Sequence, residues 1–330
     1  MRAVLCREFG PPESLKIEDV APPEPGEGQI ALAVHAAGVN FADTLIIEGK
    51  YQDKPEMPFS PGMEAAGVVS KVGAGVTGLK EGDRVTAMLG HGGFAEEALA
   101  PASGTMKIPD SMDFVDAAGF PVAYGTSHVA LRHRGDLKAG ETLLVHGAAG
   151  GVGLTAVQIG RVLGANVIGT ARGQDKLDIA RTNGAKHVID YAEEDIRTKV
   201  LEITEKRGAD VIYDPVGGDV FDASLRCIAW EGRLLVIGFA GGRIPQAPAN
   251  YLLVKNCSVV GVFWGAYRKH NPRLIDESFE ELFGWYDDGL LRPHVSNTFE
   301  LDEVADAMQM MLERKSTGKI VITTGLTHAA

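Results

Sequence analysis

Twelve residues, Thr142-Leu-Leu-Val-His-Gly147-Ala148-Ala149-Gly150-Gly151-Val152-Gly153, constrain this chain more than any other stretch. A run of apolar residues that halts at glycines and continues into Leu154, Val157, Ile159 and Val162 reads as a buried strand, a tight turn and a helix laid back over a sheet. Such a unit favours a parallel sheet, because the covering helix returns the chain to start its next strand in the same direction. In the spacing G-x-G-x-x-G, Ala148 takes the first place, Gly150 the second and Gly153 the third. Gly150 lets the backbone approach a pyrophosphate, and Gly153 lets the helix pack closely. The helix start offers unpaired N–H groups and the positive end of its dipole to that phosphate. A tight turn without ligand is the plain alternative.

Strand-like runs at Thr142–His146, Asn166–Thr170, His187–Ile189, Val211–Tyr213, Arg233–Ile237 and Ser258–Val262 alternate with helix-length amphipathic segments, which predicts a doubly wound α/β domain. Before it, from Met1 to about Pro121, short apolar strands broken by Pro and Gly (Ile30–Val34, Ala65–Val72, Arg84–Met88, Phe94–Ala98) predict a β-rich domain. After Gly265 come a helix over Leu274–Tyr286, a second from Leu301 to Leu312 and a strand, Lys319–Thr323, with no sheet of its own nearby. That strand is expected to return to the first domain. Helical spacing assigns Met308, Met310 and Met311 to core packing rather than to a pliable surface.

The second strand of a dinucleotide unit ends where an acidic side chain would bind the ribose of NAD. Here it ends Thr170-Ala171-Arg172-Gly173-Gln174-Asp175-Lys176, with no carboxylate at Thr170 or Ala171 to repel a 2′-phosphate. Arg172 offers a planar donor fork and Lys176 a point charge one helical turn on, so NADPH is expected over NADH. Two solvated surface cations are the alternative.

Several chemistries lack apparatus. Nine histidines form no HxH or HExxH, and no G-x-S-x-G elbow is present, so neither metal nor nucleophilic serine is assigned. A net charge of −12 without a basic run argues against nucleic acid. Three scattered cysteines, Cys6, Cys227 and Cys257, draw no disulfide framework and fit a reducing cytoplasm. Neither a secretory leader nor an apolar run of about 18 residues is seen, so no membrane partner is expected.

The motifs Ala37-Gly38-Val39-Asn40-Phe41-Ala42-Asp43, Gly49-Lys50-Tyr51, Pro61-Gly62-Met63-Glu64-Ala65-Ala66-Gly67, Glu81-Gly82-Asp83-Arg84-Val85, the Ala148–Gly153 turn and Gly318-Lys319-Ile320-Val321-Ile322 together resemble the medium-chain dehydrogenase/reductase superfamily, over essentially the whole chain. The branch it is most similar to is the zinc-free NADPH:quinone oxidoreductases related to zeta-crystallin. The resemblance implies a GroES-like catalytic domain over residues 1–122, completed by about 266–330, and a Rossmann domain over 123–265, with the nicotinamide lying between them and a homodimer joined through the Rossmann sheets, with Ser258–Val262 at the sheet edge. In the zinc-dependent branch, ligands stand at the positions of Asn40 and Met63 and near Val122, and none of these three side chains suits Zn²⁺.

Carried over by position, the resemblance implies that Asn40 and Tyr51 line the nicotinamide end, with Thr126 beside the cofactor. Tyr51 is either a hydrogen-bond or proton donor to a carbonyl oxygen or an aromatic wall, and Asp43 a positioning residue. Gly151 and Val152 would face the pyrophosphate, while Arg172, Gly173, Lys176 and Tyr191 would surround the 2′-phosphoadenosine. Phe239 and Phe263 would stand near the ribose and nicotinamide, Phe263 being alternatively sheet core, and Lys319 matches a position near the cofactor. The function implied is hydride transfer from NADPH to a quinone. Enoyl or alkenal reduction, with enoyl-CoA among the substrates, is the near alternative, and an NADPH-binding protein with little turnover the distant one.

Overall fold

The structure is a computed structural model and describes residues 1–326. It divides into two units, Met1–Val122 with the chain from Pro293 onward, and Ala123–Arg292.

The second unit is built on six parallel strands in the spatial order His187–Asp190, Asn166–Ala171, Thr142–Val145, Ala209–Asp214, Ile228–Val236, Ser258–Gly261. This is the doubly wound order, and the winding reverses between Thr142–Val145 and Ala209–Asp214, where Val211 lies opposite Leu143. All four residues of Thr142–Val145 are buried, as expected of a central strand covered on both faces. The Gly151–Val162 helix buries Gly153 through Gly160 in one continuous stretch, so its small residues are as necessary as its large ones.

The chain rejoins the first unit at Pro293, not near residue 266 as the resemblance implied. The reason is the helix Pro272–Asp287, capped by Asn271 Oδ1 on the Leu274 N–H, which buries Ile275, Ser278, Phe279 and Leu282 on one stripe. Phe279 meets Trp264 edge-on at 6.4 Å, and Ser278 and Glu281 bond His128. That helix therefore belongs with the Rossmann sheet.

In the first unit a mixed sheet runs Val295–Glu300, Lys319–Thr323, Gln29–Val39, Glu64–Val72, Arg84–Met88, Thr105–Lys107, with Glu97–Pro101 also paired to Gln29–Val39. The closing strand does return to this sheet, antiparallel to Gln29–Val39. The strand expected over Phe94–Ala98 is displaced to Glu97–Pro101, because Gly90 and Gly92 turn at positive φ and the Phe94 N–H is taken by Pro61 O. The core gathers Ile30, Leu32, Phe59, Val85, Phe94, Ile320 and Ile322. Met308 is fully buried there and Met310 and Met311 pack against it, so the core assignment of the methionines holds.

Two glycines let the central strands approach. A Cβ on Gly67 would lie 1.9 Å from Ala33 O, and one on Gly38 would lie 2.4 Å from Glu64 Oε1 and 2.5 Å from Ala118 O.

Candidate active site

In the second unit the sequence-predicted residues line the carboxyl ends of the strands. Gly147 turns at φ +58°, so the tight bend falls one residue before Ala148, whose side chain is buried. A Cβ on Gly153 would stand 2.1 Å from Gly147 O, which is the close packing that the third glycine was expected to allow. Gly150 caps the helix and no side chain caps its first turn, so the opening N–H groups at Gly151 and Val152 are left for a ligand at a half-exposed edge. Ser127 Oγ braces this turn through Val152 O (2.9 Å), Thr155 Oγ1 (2.8 Å) and Tyr213 Oη (2.9 Å). Thr126 is the buried neighbour of that brace, on the Pro121–His128 helix.

Beside it, Arg172 and Gly173 follow the second strand and Tyr191 follows the third. Tyr191 N–H bonds Ala171 O and Gly173 turns at φ +86° with open space around it. Arg172 is exposed and makes no ion pair among the described residues, while Lys176 is half-buried in the first turn of the Gln174–Thr182 helix. One feature escaped the sequence reading. Asp190 ends the third strand, and its Oδ2 accepts from Gly173 N–H at 3.0 Å while Oδ1 accepts from Ala192 N–H. A carboxylate therefore does stand at this corner, with both oxygens engaged by the turns.

Also unforeseen is Asp214, buried at the end of the fourth strand, whose Oδ1 gathers the N–H groups of Val216 and Gly217. Its Asp-Pro-Val-Gly-Gly turn holds the loop that carries Phe239, through Ala240 N–H to Pro215 O and Gly241 N–H to Val216 O. Phe239 and Phe263 are both exposed, and the buried neighbour of Phe263 is Trp264, so Phe263 is not sheet core. His146, just before the glycine turn, is sealed between Thr170 Oγ1 and Ser224 Oγ, and burial holds its pKa below the usual imidazole range.

A Ser–His–Glu row also went unseen: Ser278 Oγ lies 2.8 Å from His128 Nδ1, and His128 Nε2 2.8 Å from Glu281 Oε2. Ser278 is only 2% exposed, so the row docks a helix and serves no acyl transfer. His128 lies 150 residues from Ser278 in sequence, which is why no motif betrayed the row.

In the first unit, Asn40, Asp43 and Lys319 come together with Glu64. Asp43 Oδ2 accepts from Asn40 N–H at 2.8 Å and pins the start of the Phe41–Ile47 helix, while its Oδ1 makes no well-formed hydrogen bond among the described residues. Asp43 is fully buried and so can only position its neighbours. Lys319 Nζ donates to Asn40 Oδ1 (2.7 Å), Glu64 Oε1 (2.8 Å) and Val39 O (2.9 Å). Glu64 Oε1 also accepts from Asn40 Nδ2, and its Oε2 from Val122 N–H. Tyr51 is not bonded to this group. It packs half-buried against the core, and burial, then Asp53 and Asp43, raise its pKa, so its hydroxyl keeps its proton.

Burial pushes the Asp43 carboxyl up to about 7, against the opposing pull of Asn40 N–H and the Lys319 charge. With an ordinary value of 3.8 when unfolded, the native state binds the extra proton between these limits, so stability from this group is complete below about pH 4 and is lost as pH rises towards 7. That amounts to about 4 kcal/mol across the window. Asp43→Asn is expected to flatten this part of the pH dependence, read as the difference between the two proteins' urea midpoints from pH 4 to 8.

With this geometry in view, the comparisons with known proteins identify the class. Residues 26–110 match the family model "Alcohol dehydrogenase GroES-like domain" and residues 151–280 match "Zinc-binding dehydrogenase". The chain belongs to the medium-chain dehydrogenase/reductase superfamily, in its quinone oxidoreductase branch. It is 49% identical over 327 residues to the "Quinone oxidoreductase-like protein 2 homolog" of Nematostella vectensis, covering 98% of this chain and 89% of that one. It is 36% identical to human "Quinone oxidoreductase" over 98% and 97% of the two chains. The crystal structure of Escherichia coli quinone oxidoreductase complexed with NADPH superposes with a TM-score of 0.91 at 31% identity, over 98% of this chain and all of that one.

The words "zinc-binding" raise the question of a metal. Among the described residues no group of three His, Cys, Asp or Glu is disposed to hold one. Where the resemblance sets zinc ligands stand the Asn40 amide, the Met63 thioether packed against the core, and Val122, whose N–H is given to Glu64. The Lys319 ammonium already supplies a cation at the Glu64 carboxylate. These residues do not fit a catalytic zinc.

Proposed function

We propose that this chain is an NADPH-dependent reductase that works without zinc and passes hydride to a quinone or a related conjugated carbonyl acceptor. The observation that carries the reading is the uncapped glycine turn at the point where the sheet's winding reverses, flanked by the exposed Arg172, which makes no ion pair among the described residues. The N–H groups at Gly151 and Val152 hold the pyrophosphate, and Arg172 with Lys176 takes the 2′-phosphate. Phe239, Phe263 and Tyr191 offer exposed ring faces along the same strand ends. When bound, NADPH supplies the hydride at nicotinamide C4. Tyr51 donates a hydrogen bond to the acceptor's carbonyl oxygen, which gains charge as hydride arrives, and its raised pKa makes it a donor that does not ionise at neutral pH.

The test is NADPH oxidation by chelator-treated protein with 1,4-benzoquinone, an enone and a 2-enoyl-CoA at matched concentrations. Turnover that favours the quinone supports the reading. A much higher kcat/KM on the enone or enoyl-CoA moves the substrate to the alkenal class, tight binding without turnover makes the protein a cofactor-binding one, and restoration of activity by Zn²⁺ alone overturns zinc independence. Arg172→Ala is expected to raise KM for NADPH about tenfold or more while leaving KM for NADH within about twofold, in keeping with a lost charge-assisted contact of ~1.5–3 kcal/mol. Equal changes for both cofactors, in the same steady-state assay, would remove Arg172 from the 2′-phosphate site.

The same reading includes a homodimer in the cytoplasm. Three unpaired, buried cysteines suit a reducing compartment, and no helix among the described residues is long and apolar enough to cross a membrane. For the dimer, the Ser258–Gly261 strand is paired on one side only, and the helix before it exposes Leu253 (77%) and Val254 (72%). Leu253→Glu with Val254→Glu is expected to halve the mass seen by sedimentation velocity. An unchanged mass would place the interface elsewhere.

A further inference from the structure

The first unit carries an ammonium group almost wholly shut off from solvent. Lys319 is 6% exposed and Glu64 fully buried. An ammonium has three donors, and here each finds an oxygen: Val39 O at 2.9 Å, Asn40 Oδ1 at 2.7 Å and Glu64 Oε1 at 2.8 Å. The lysine stem passes over Gly119, where a Cβ would come within 3.3 Å of Lys319 Cβ and Cγ. Glu64 cannot swing away, since its other oxygen holds Val122 N–H at 2.7 Å.

Asn40 is thereby gripped at both ends. Its Oδ1 faces the ammonium, and its Nδ2 faces the carboxylate at 2.9 Å. A flipped amide would set nitrogen against ammonium and oxygen against carboxylate, so the two charges dictate one orientation. The second hydrogen on Nδ2 goes to Gly38 O at 3.4 Å, a long hydrogen bond and the weakest that this amide makes.

We propose that Lys319 is a positioning residue of the reduction, its ammonium fixing the Asn40 amide so that the Nδ2 hydrogen on the long bond to Gly38 O is offered to the acceptor's carbonyl oxygen. The role deepens the reductase reading and rests on it. It also gives Lys319 a task different from the cofactor contact that the family resemblance implied. The cation works by orienting a neutral donor, and no proton leaves it.

The experiment uses Lys319→Ala and chemical rescue with n-propylammonium, which has the carbon count of the missing stem beyond Cβ. In the cofactor-free protein, n-propylammonium is expected to raise the melting temperature of Lys319→Ala by about 3 °C, with no such effect from sodium chloride or on the wild type, because the amine binds only the folded cage. In turnover, kcat of Lys319→Ala is expected to fall by about 10- to 100-fold while Kd for NADPH stays within about threefold, and n-propylammonium is expected to recover a large part of kcat. A rise in Kd for NADPH that accounts for the whole loss would overturn the proposal and make Lys319 a cofactor contact. Loss of kcat with no recovery by amine, in protein whose melting temperature the amine does not move, overturns it too.

Should Lys319→Ala fail to fold, a cycle of Lys319→Arg and Asn40→Ala decides. Loss of kcat from Lys319→Arg that vanishes in the Asn40→Ala background supports action through Asn40, and additive losses refute it. If the wild type reduces no acceptor at all, the reductase reading fails and takes the positioning role with it. The apo melting shift still reports the cage on its own.

Discussion

Gly153→Ala is expected to leave a folded protein whose affinity for NADPH is weaker by about 100-fold or more, a change of ~2.7 kcal/mol in binding. The new methyl group would stand 2.1 Å from Gly147 O, 2.7 Å from Gly147 C and 3.1 Å from His146 O. All three are backbone atoms of the turn, so no side chain can step aside and the helix itself must lift. Lifting it carries away the first-turn N–H groups that the proposed reading assigns to the pyrophosphate, and a displacement on the order of 1 Å costs about 100-fold in such a site. Stability should fall less, by about 1–3 kcal/mol, the usual penalty of overpacking. Fluorescence titration with NADPH measures the first effect and urea unfolding the second. An affinity within threefold of the wild type would mean that this turn is structural only.

Glu64 is the second position where a single change should be severe. Replacement by Ala leaves the Lys319 ammonium, Asn40 Nδ2 and Val122 N–H without their shared acceptor in a fully buried site, which should cost about 3–5 kcal/mol of stability. Glu64→Gln offers no refuge. Both carboxylate oxygens accept hydrogen bonds here, so either orientation of the new amide turns its NH₂ towards a donor. Gly38→Ala attacks the same carboxylate from behind, since its Cβ would fall 2.4 Å from Oε1. Equilibrium unfolding in urea at pH 7 ranks the three variants. A loss below about 1 kcal/mol in Glu64→Ala would show that the carboxylate is not the hub of the network, given what a broken buried pair normally costs.

The Rossmann half was legible because its physics is local. A central parallel strand has to be apolar on both faces, and Leu143-Leu-Val145 announces that within three residues. Strand limits were found to within about two residues in most cases, Ile228–Val236 being the chief exception because its first half begins before the Trp230-Glu-Gly232 irregularity. The helix begins at Gly151, ahead of Leu154, the first apolar residue that marks it in the sequence, because a glycine cap carries no side-chain signal of its position.

Partners distant in sequence were not legible. Lys319 and Glu64 are 255 residues apart, and a lysine opening a strand gives no sign that its stem will lie along a glycine and turn its charge inward. Asp190 was missed for a simpler reason: the search for an acid looked at the end of the second strand, and the carboxylate reaches the same corner from the third. Tyr51, Thr126 and Phe239 could be placed by resemblance to a family, and local pattern alone would not have singled them out.

The pairing of Lys319–Thr323 with Gln29–Val39 has a consequence for how the molecule is made. Residues 123–292 form a contiguous segment with a complete sheet and can condense while the rest of the polypeptide is still being synthesised. The amino-terminal unit precedes this segment in the chain, yet it lacks its closing strand and the counter-charge for Glu64 until residues 319–323 have been made. At ~5–20 residues per second, the carboxylate waits on the order of 10–50 s after its own synthesis. In the nascent chain the order of maturation is therefore the reverse of the order of translation for these two halves. A ribosome that stalls shortly before Lys319 would release a protein with a finished nucleotide fold attached to an open, uncompensated sheet, the kind of surface that chaperones bind and proteases cut.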